Sequence, residues 1–177
     1  MEERMLRIAG VVRESIVDGP GLRFVVFVQG CPHHCPGCHN PQSHDFSGGQ
    51  LYPVERILDE ICKNPMIHGV TFSGGEPFCQ AQALSQLGQL IKDRGMHLMT
   101  YTGYRFEELM QMGETQPEIL SLLRVCDVLV DGPFLLSQKS LMLHFRGSRN
   151  QRILDVPKSL RAGSAISVPW QDGEIRG

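Results

Sequence analysis

The chain has 177 residues and a net charge of −2, with 41% hydrophobic and 20% charged residues. This composition is ordinary for a globular protein and excludes the basic field that would attract nucleic acid or an anionic membrane. The longest apolar run, Phe24 to Val28, is five residues long, whereas a membrane-spanning helix needs roughly 20 residues. Because no apolar signal core follows the N-terminus, we expect a cytoplasmic protein built as a single domain over residues 1–177.

The first predicted elements lead into a cluster of cysteines. Residues 6–13 are typical of a strand, and the glycines and proline of residues 18–21 predict a turn. Residues 22–29 are rich in Val and Phe, which indicates a strand buried on both faces of a parallel sheet. A loop with three cysteines within eight residues follows directly from the carboxyl end of that strand: Cys31, Cys35 and Cys38.

Helices and strands alternate over the rest of the chain. Val54, Ile57, Leu58 and Ile61 recur at helical spacing, so a helix should begin at Pro53. The further predicted strands cover residues 68–73, 97–102, 127–130 and 152–156, and the further predicted helices cover residues 80–94, 105–112, 117–124 and, as a short segment, 134–143. This alternation predicts an α/β fold with too few units to close an eight-stranded barrel. We therefore expect an open partial (βα) barrel with a mostly parallel sheet.

Four unusual segments should meet at one rim of this sheet, because ligands in parallel α/β folds bind at the carboxyl ends of the strands. They are the cysteine loop, Gly74-Gly75-Glu76-Pro77, Thr102-Gly103-Tyr104 and Asp131-Gly132. The predicted core spans about residues 6–156. The tail of residues 157–177 has a weak pattern, which Trp170 either docks or leaves mobile, and we assign it no role.

The three clustered thiols are candidate metal ligands. Cys62, Cys79 and Cys126 are scattered, and six cysteines in a cytoplasmic chain indicate metal binding or burial more than disulfides. Three thiolates could hold an iron–sulfur cluster with one open iron, and an open metal position is where catalysis occurs. A zinc site completed by His33, His34 or His39 is the alternative interpretation of the same spacing.

The segment Gly74-Gly75-Glu76-Pro77 follows a predicted strand and precedes a helix. Its glycines expose backbone N–H and C=O groups to a ligand, although a double glycine after a strand is often only a turn. The pattern of a phosphate-binding loop is absent. Glu76 is either an acceptor for a ligand ammonium group or a solvated carboxylate.

Taken together, these motifs resemble those of the radical S-adenosylmethionine (SAM) superfamily. The spacing Cys31-x3-Cys35-x2-Cys38 is similar to its cluster motif, and Gly74-Gly75-Glu76-Pro77 to its methionine-binding motif. Residues 18–24 and 39–41 resemble glycyl-radical-enzyme activases. Three further segments resemble the family of activating proteins of anaerobic ribonucleoside-triphosphate reductase: Thr102-Gly103-Tyr104, Val130-Asp131-Gly132 and residues 146–151. These features run from about residue 6 to residue 156.

The resemblance implies two cofactors, a [4Fe–4S] cluster and SAM, and a role for each site residue. Cys31, Cys35 and Cys38 would ligate iron. Gly37, the backbone of Cys38, and His39 would line the adenine side of SAM, with His39 supplying the flat contact because Gly37 stands where many superfamily members carry an aromatic residue. Gly74, Gly75 and Glu76 would meet the methionine part of SAM. Asp131 would touch or order the same pocket, unless it is only an aspartate in a strand-end turn.

The resemblance also implies a reaction and partners. A reduced cluster would cleave SAM, and the 5′-deoxyadenosyl radical would take a hydrogen atom from a glycine of a large glycyl radical enzyme, the anaerobic ribonucleoside-triphosphate reductase. A flavodoxin- or ferredoxin-type protein would donate the electron. Arg146, Arg149 and Arg152 would dock the partner or form a solvated basic face. An activase of a formate-lyase-type enzyme and a non-catalytic zinc-binding module are the alternative functions.

Overall fold

The computed structural model describes residues 4–171, which fold as one seven-stranded sheet with helices packed on one side. The strands are β1 (Met5–Ser15), β2 (Arg23–Val28), β3 (Gln50–Pro53), β4 (Gly69–Gly74), β5 (His97–Tyr101), β6 (Val128–Asp131) and β7 (Arg152–Asp155). The helices are α1 (Val54–Cys62), α2 (Ala81–Asp93), α3 (Phe106–Met112), α4 (Pro117–Val125) and α5 (Val156–Ala162). Among residues 4–171, none of these helices is long and apolar enough to cross a bilayer.

The sheet is open and mostly parallel, as the sequence predicts. The strand order is β3-β1-β2-β4-β5-β6-β7, and the four strands β2, β4, β5 and β6 are paired in parallel. β1 runs antiparallel to both of its neighbours, so β3 has the direction of the central four strands. β7 closes the other edge in antiparallel register. Five of the seven strands therefore share one direction, and antiparallel pairs flank the parallel centre.

The main hydrophobic core lies between the sheet and the helices. The apolar stripe of α1, including Val54 and Ile61, is buried as its spacing predicts. Leu84 and Leu87 of α2 are fully buried, and each such side chain contributes about 1.5–3 kcal/mol when it leaves water. This packing holds one face of the sheet rigid and leaves the opposite, inner face for the loops.

A second, smaller core covers part of the inner face and fixes the tail. It contains Met99 and Val168, against which Phe145 and Trp170 pack. The N–H of Val168 donates to the carbonyl of Ile153 in β7 at 2.9 Å. The described part of the tail is docked rather than mobile, because Trp170 packs against this smaller core. The tail thus extends the sheet edge at β7 and supports the loops above it.

The predicted short helix over residues 134–143 is wrong. The β6–β7 connection, residues 132–151, contains only a 3-10 turn at Leu136–Gln138 and an isolated bridge between Lys139 and Ser148. The side chain of Gln151 accepts hydrogen bonds from the N–H groups of Gly147 and Ser148 at 2.8 and 3.1 Å. These hydrogen bonds hold the carboxyl-terminal part of the connection. Within the segment predicted as a helix, the N–H of Ser140 donates to the carbonyl of Gly147 at 3.3 Å instead of to the preceding turn.

Candidate functional site

The four segments singled out in the sequence meet around one open cavity of about 690 Å³ on the inner face of the sheet, called here the site cavity. Two other large cavities, of about 500 and 1050 Å³, contain none of the three clustered cysteines. The site cavity is lined by predicted site residues and by their neighbours, including Cys31, Cys35, Cys38, His39, Gly74, Gly75, Thr102, Gly103 and Gly132. Parallel pairing of β2, β4, β5 and β6 produces this convergence, because it aligns their carboxyl ends.

The three thiols face the same cavity, and all are free of disulfides. Cys31 is buried at the end of β2, and a turn joins Cys35 to Cys38 through a 3.1 Å backbone hydrogen bond. Burial raises the pKa of the Cys31 thiol, so its thiolate needs a metal or another cation for stability. Within residues 4–171, no three His, Cys, Asp or Glu side chains are grouped as a site for one metal ion.

Gly74 and Gly75 bring the end of β4 against the cysteine loop. The N–H of Gly75 donates to the carbonyl of Val28 at 2.8 Å, and that of Glu76 donates to Gly30 at 2.7 Å. A Cβ atom on Gly75 would lie 2.4 Å from the carbonyl oxygen of Gly30, a separation that no side chain tolerates. The glycine is therefore required by the close approach of two backbones, and both segments line the site cavity.

The Glu76 carboxylate is fully buried and joins three loops. It accepts hydrogen bonds from the N–H of Phe78 at 3.0 Å, the N–H of Gly103 at 2.8 Å and the hydroxyl of Thr102 at 2.9 Å. Nε2 of His33 lies 2.6 Å from the same carboxylate. Glu76 does not line the site cavity. Its side chain is thus committed to the loops that build the cavity wall.

His33 has different partners in the structure from those that the sequence suggested. The sequence suggested it only as a zinc ligand, but its ring bonds Glu76 and packs edge-on against Tyr104 at 4.5 Å. The ring also occupies the space that a Cβ atom on Gly103 would need. No local pattern could have indicated this role, because its partners lie 43 or more residues further along the chain.

Gly37 and His39 lie beside the β6–β7 connection, and of the two only His39 lines the site cavity. Gly37 has a φ of 74°, and a Cβ atom there would lie 2.9 Å from the side chain of Leu136. His39 lines the site cavity, with its ring 5.1 Å from that of Phe134. The two rings form an aromatic wall that the sequence indicated only in part.

Asp131 lies at the end of β6, as predicted, but its carboxylate does not line the site cavity. It is 1% exposed and accepts hydrogen bonds from the N–H of Phe106 at 2.8 Å and from Arg152 at 2.5 and 3.0 Å. Asp131 and then Glu107 raise the pKa of the Arg152 guanidinium. Only the following residue, Gly132, reaches the cavity wall. The Asp131 carboxylate is therefore held by Phe106 and Arg152 outside the cavity lining.

The three arginines proposed for partner docking have different surroundings. Arg152 is engaged by Asp131 and Glu107, and Arg146 donates to the carbonyls of Gln151 and Gln171. Both therefore stabilise the fold. Arg149 is exposed, and its side chain forms no hydrogen bond or ion pair within residues 4–171.

Arg23 anchors the turn of residues 18–21, of which Asp18 lines the site cavity. Its buried guanidinium donates to the carbonyl of Pro20 at 2.8 Å and to Thr71 Oγ1 at 2.7 Å, and that hydroxyl donates to the carbonyl of Asp18. Burial lowers the pKa of Arg23 to about 10. Arg23 also donates to Nδ1 of His97 at 3.0 Å, and burial together with this positive charge lowers the pKa of His97 to about 4.

Comparison with known proteins first defines the class. Residues 17–154 match the family model described as a 4Fe-4S single cluster domain. With the open sheet and the thiol-lined cavity, this match identifies a radical SAM protein with one iron–sulfur cluster domain. The fold has a distant likeness to the crystal structure of QueE from Escherichia coli, with a TM-score of 0.44 and 19% identity over 56% of this chain and 52% of that one.

Comparison with individual relatives then identifies the family within this class. The chain is 35% identical over 147 residues to the anaerobic ribonucleoside-triphosphate reductase-activating protein of Salmonella typhi, covering 77% of this chain and 90% of that protein. It is 38% identical over 116 residues to the pyruvate formate-lyase-activating enzyme of Clostridium pasteurianum, covering 60% of this chain but only 49% of that enzyme. The chain belongs to the family of anaerobic ribonucleoside-triphosphate reductase-activating proteins.

Proposed function

We propose that this protein activates an anaerobic ribonucleoside-triphosphate reductase by generating a glycyl radical on it. One observation carries the proposal: three free thiols and a glycine pair line the same open cavity at the carboxyl ends of the parallel strands. Membership of the activating-protein family supplies the reductase as partner. The match covers 90% of the Salmonella typhi relative, which supports the same activity for this chain.

The residues fit a [4Fe–4S] cluster and SAM. Thiolates are the usual ligands of such clusters, and Cys31, Cys35 and Cys38 supply three of them and would leave one iron for SAM. The cavity volume of about 690 Å³ lies within the range of roughly 300–1,000 Å³ typical of ligand sites. When bound, these cofactors supply one-electron cleavage of SAM and a 5′-deoxyadenosyl radical that removes hydrogen from glycine.

The other site residues either bind SAM or position the loops of the cavity wall. The backbones of Gly74 and Gly75, which reach the cavity wall, bind the methionine part of SAM. His39, which lines the same cavity, would contact the adenine of SAM, and Gly37 would allow the loop to pass beside it. Glu76 and Asp131 act as positioning residues, because their carboxylates are occupied by protein groups.

The reaction consumes an electron from outside the chain, so the activity is that of an oxidoreductase. We assign the electron donor to the flavodoxin or ferredoxin type and the reaction to the cytoplasm. The formate-lyase-type alternative is less favoured, since the match covers only 49% of that relative. His33 is disfavoured as the fourth ligand of a zinc site, because its Nε2 atom is hydrogen-bonded to Glu76.

Electron paramagnetic resonance after anaerobic incubation with SAM, a reductant and the reductase tests the proposal. A glycyl radical signal should appear on the reductase with the wild-type protein and be missing with Cys38→Ala. A parallel incubation with a formate-lyase-type enzyme separates the two activase functions. A signal on that enzyme alone would reassign the partner, and no signal on either enzyme from a protein with a full cluster would refute activation.

A further inference from the structure

Two adjacent apolar side chains project from the rim of the site cavity. Leu141 and Met142 are 87% and 85% exposed, and Leu141 also lines the cavity wall. Together they are called here the apolar tip. Leu136, on the same connection, is 54% exposed. A cluster of exposed apolar residues beside a cavity, unlike single ones, marks a binding surface.

The apolar tip stands on an ordered stem. The bridge between Lys139 and Ser148 closes the β6–β7 connection, and the N–H of Ser140 donates to the carbonyl of Gly147. Beyond the tip, the hydroxyl of Tyr101 donates to the carbonyl of Phe145 at 2.6 Å. The exposure of the tip is therefore built into the fold, because the connection is closed on itself at Lys139 and Ser148 and is tied to β5 at Phe145.

Two cations with no internal partners flank the stem. Lys139 and Arg149 are exposed, and their side chains form no hydrogen bond or ion pair within residues 4–171. Their backbones lie close together, since Lys139 bridges Ser148 and the N–H of Arg149 donates to the carbonyl of Gln138. By contrast, Arg152 of the same region forms an ion pair with Asp131. The free charges remain available for carboxylates on a partner.

We propose that the apolar tip, with Lys139 and Arg149 beside it, is the docking surface for the reductase. The inference rests on the proposed function, which requires a glycine of a large protein to reach the site cavity. A protein that delivers this glycine must cover the cavity rim, and Lys139, Ser140 and Leu141 are part of that rim. The matching surface is an apolar recess edged by carboxylates, which receives Leu141 and Met142 while its acidic groups meet the two cations.

The double variant Leu141→Ser/Met142→Ser tests the tip. The cluster-loaded variant should bind the reductase at least tenfold more weakly and yield correspondingly less glycyl radical. Reductant-driven SAM cleavage without reductase is measured in the single variant Met142→Ser, whose side chain does not line the site cavity, and it should stay within twofold of wild type. Met66→Ser is the matched control, since Met66 is 74% exposed and lies outside the site cavity. Unchanged binding and radical yield in the double variant would overturn the proposal.

The charge reversal Lys139→Glu/Arg149→Glu tests the stem independently. Reductase binding should weaken at least tenfold at low salt and lose much of its salt dependence. Arg161→Glu, on the exposed surface of α5, should change neither. The proposal would be overturned if Arg161→Glu weakened reductase binding as much as Lys139→Glu/Arg149→Glu does. So would a tip variant that loses self-association but still binds the reductase, because the surface would then join two copies of this chain.

Failure of the proposed function has a different signature. Wild-type protein with a full cluster would then produce no glycyl radical on the reductase under any condition. Failure of the docking inference alone would leave wild-type activation intact, with the tip and charge variants as active as Met66→Ser and Arg161→Glu.

Discussion

Nε2 of His33 lies 2.6 Å from the carboxylate of Glu76, although 43 residues separate the two in the chain. His33 belongs to the cysteine loop, and Glu76 follows the glycine pair at the end of β4. The same carboxylate accepts a hydrogen bond from the N–H of Gly103 after β5. One buried carboxylate therefore ties together three walls of the site cavity, and any shift of Glu76 would move all of them.

Replacing Glu76 with Gln should lower the free energy of unfolding by about 2–3 kcal/mol. The carboxylate accepts hydrogen bonds on both oxygens, whereas the NH2 group of Gln would face buried N–H and O–H groups that also donate. Urea denaturation of the cluster-loaded protein measures the loss. Glu114→Gln is the control, since Glu114 is exposed and should change stability by less than about 0.5 kcal/mol. Equal stabilities of the two variants would contradict the role of Glu76.

Single replacement of Cys31, Cys35 or Cys38 by Ala should remove most of the bound iron and abolish reductive SAM cleavage, because each thiolate would hold one iron of the cluster. Iron analysis and the absorbance near about 400 nm measure the cluster. Cys62→Ala is the matched control, because Cys62 lies on the surface at the end of α1. A halved iron load in Cys79→Ala would show that the ligand set is different.

The free energy of unfolding should fall as the pH is lowered from about 6.5 toward 4, through His97. Its pKa in the folded protein is about 4, so in this range the unfolded chain binds a proton that the folded protein excludes. After allowance for solvent screening, the loss between pH 7 and pH 5 should be about 1 kcal/mol. Nδ1 of His97 accepts from Arg23 only when it carries no proton.

His97→Asn is the test variant, since an amide oxygen can accept from Arg23 but does not titrate. Urea denaturation at both pH values should show a smaller pH dependence than in wild type. Identical pH dependence in the two proteins would mean that other groups cause the acid sensitivity.

Arg152→Met should lower the free energy of unfolding by about 2–3 kcal/mol, because it leaves the buried carboxylate of Asp131 without its cation. The cost stays below that of a fully buried pair, since the Arg152 side chain is 33% exposed. Arg149→Met should change stability by less than about 0.5 kcal/mol, because this side chain has no partner within residues 4–171. Thermal or urea denaturation compares the two, and a loss of equal size in both would contradict the assignment.

Local patterns predicted the central strands and most helices because their side chains are buried at regular spacing. β3 was missed for the opposite reason: Gln50 and Leu51 of this short edge strand are exposed, and it is held by backbone pairing to β1. A short helix was predicted for residues 134–143, but the β6–β7 connection is irregular and is held by hydrogen bonds that leave no periodic pattern in the sequence, such as those that Gln151 accepts from Gly147 and Ser148. The backbone pairing that holds β3 joins residues 50–53 to residues 5–8, which lie far apart in the chain.

The sequence by itself determined the chemistry of the site: three thiols in one loop, a glycine pair after a strand, and an alternation of strands and helices that brings both to one rim. These follow from residue type and spacing, which are local properties. Only the tertiary structure decided which polar groups remain available. It commits Glu76 to His33 and Gly103, and Asp131 to Arg152, while the Arg149 side chain has no partner in the described part of the chain, residues 4–171. The reason is physical, since a buried carboxylate must find its partners wherever the fold places them.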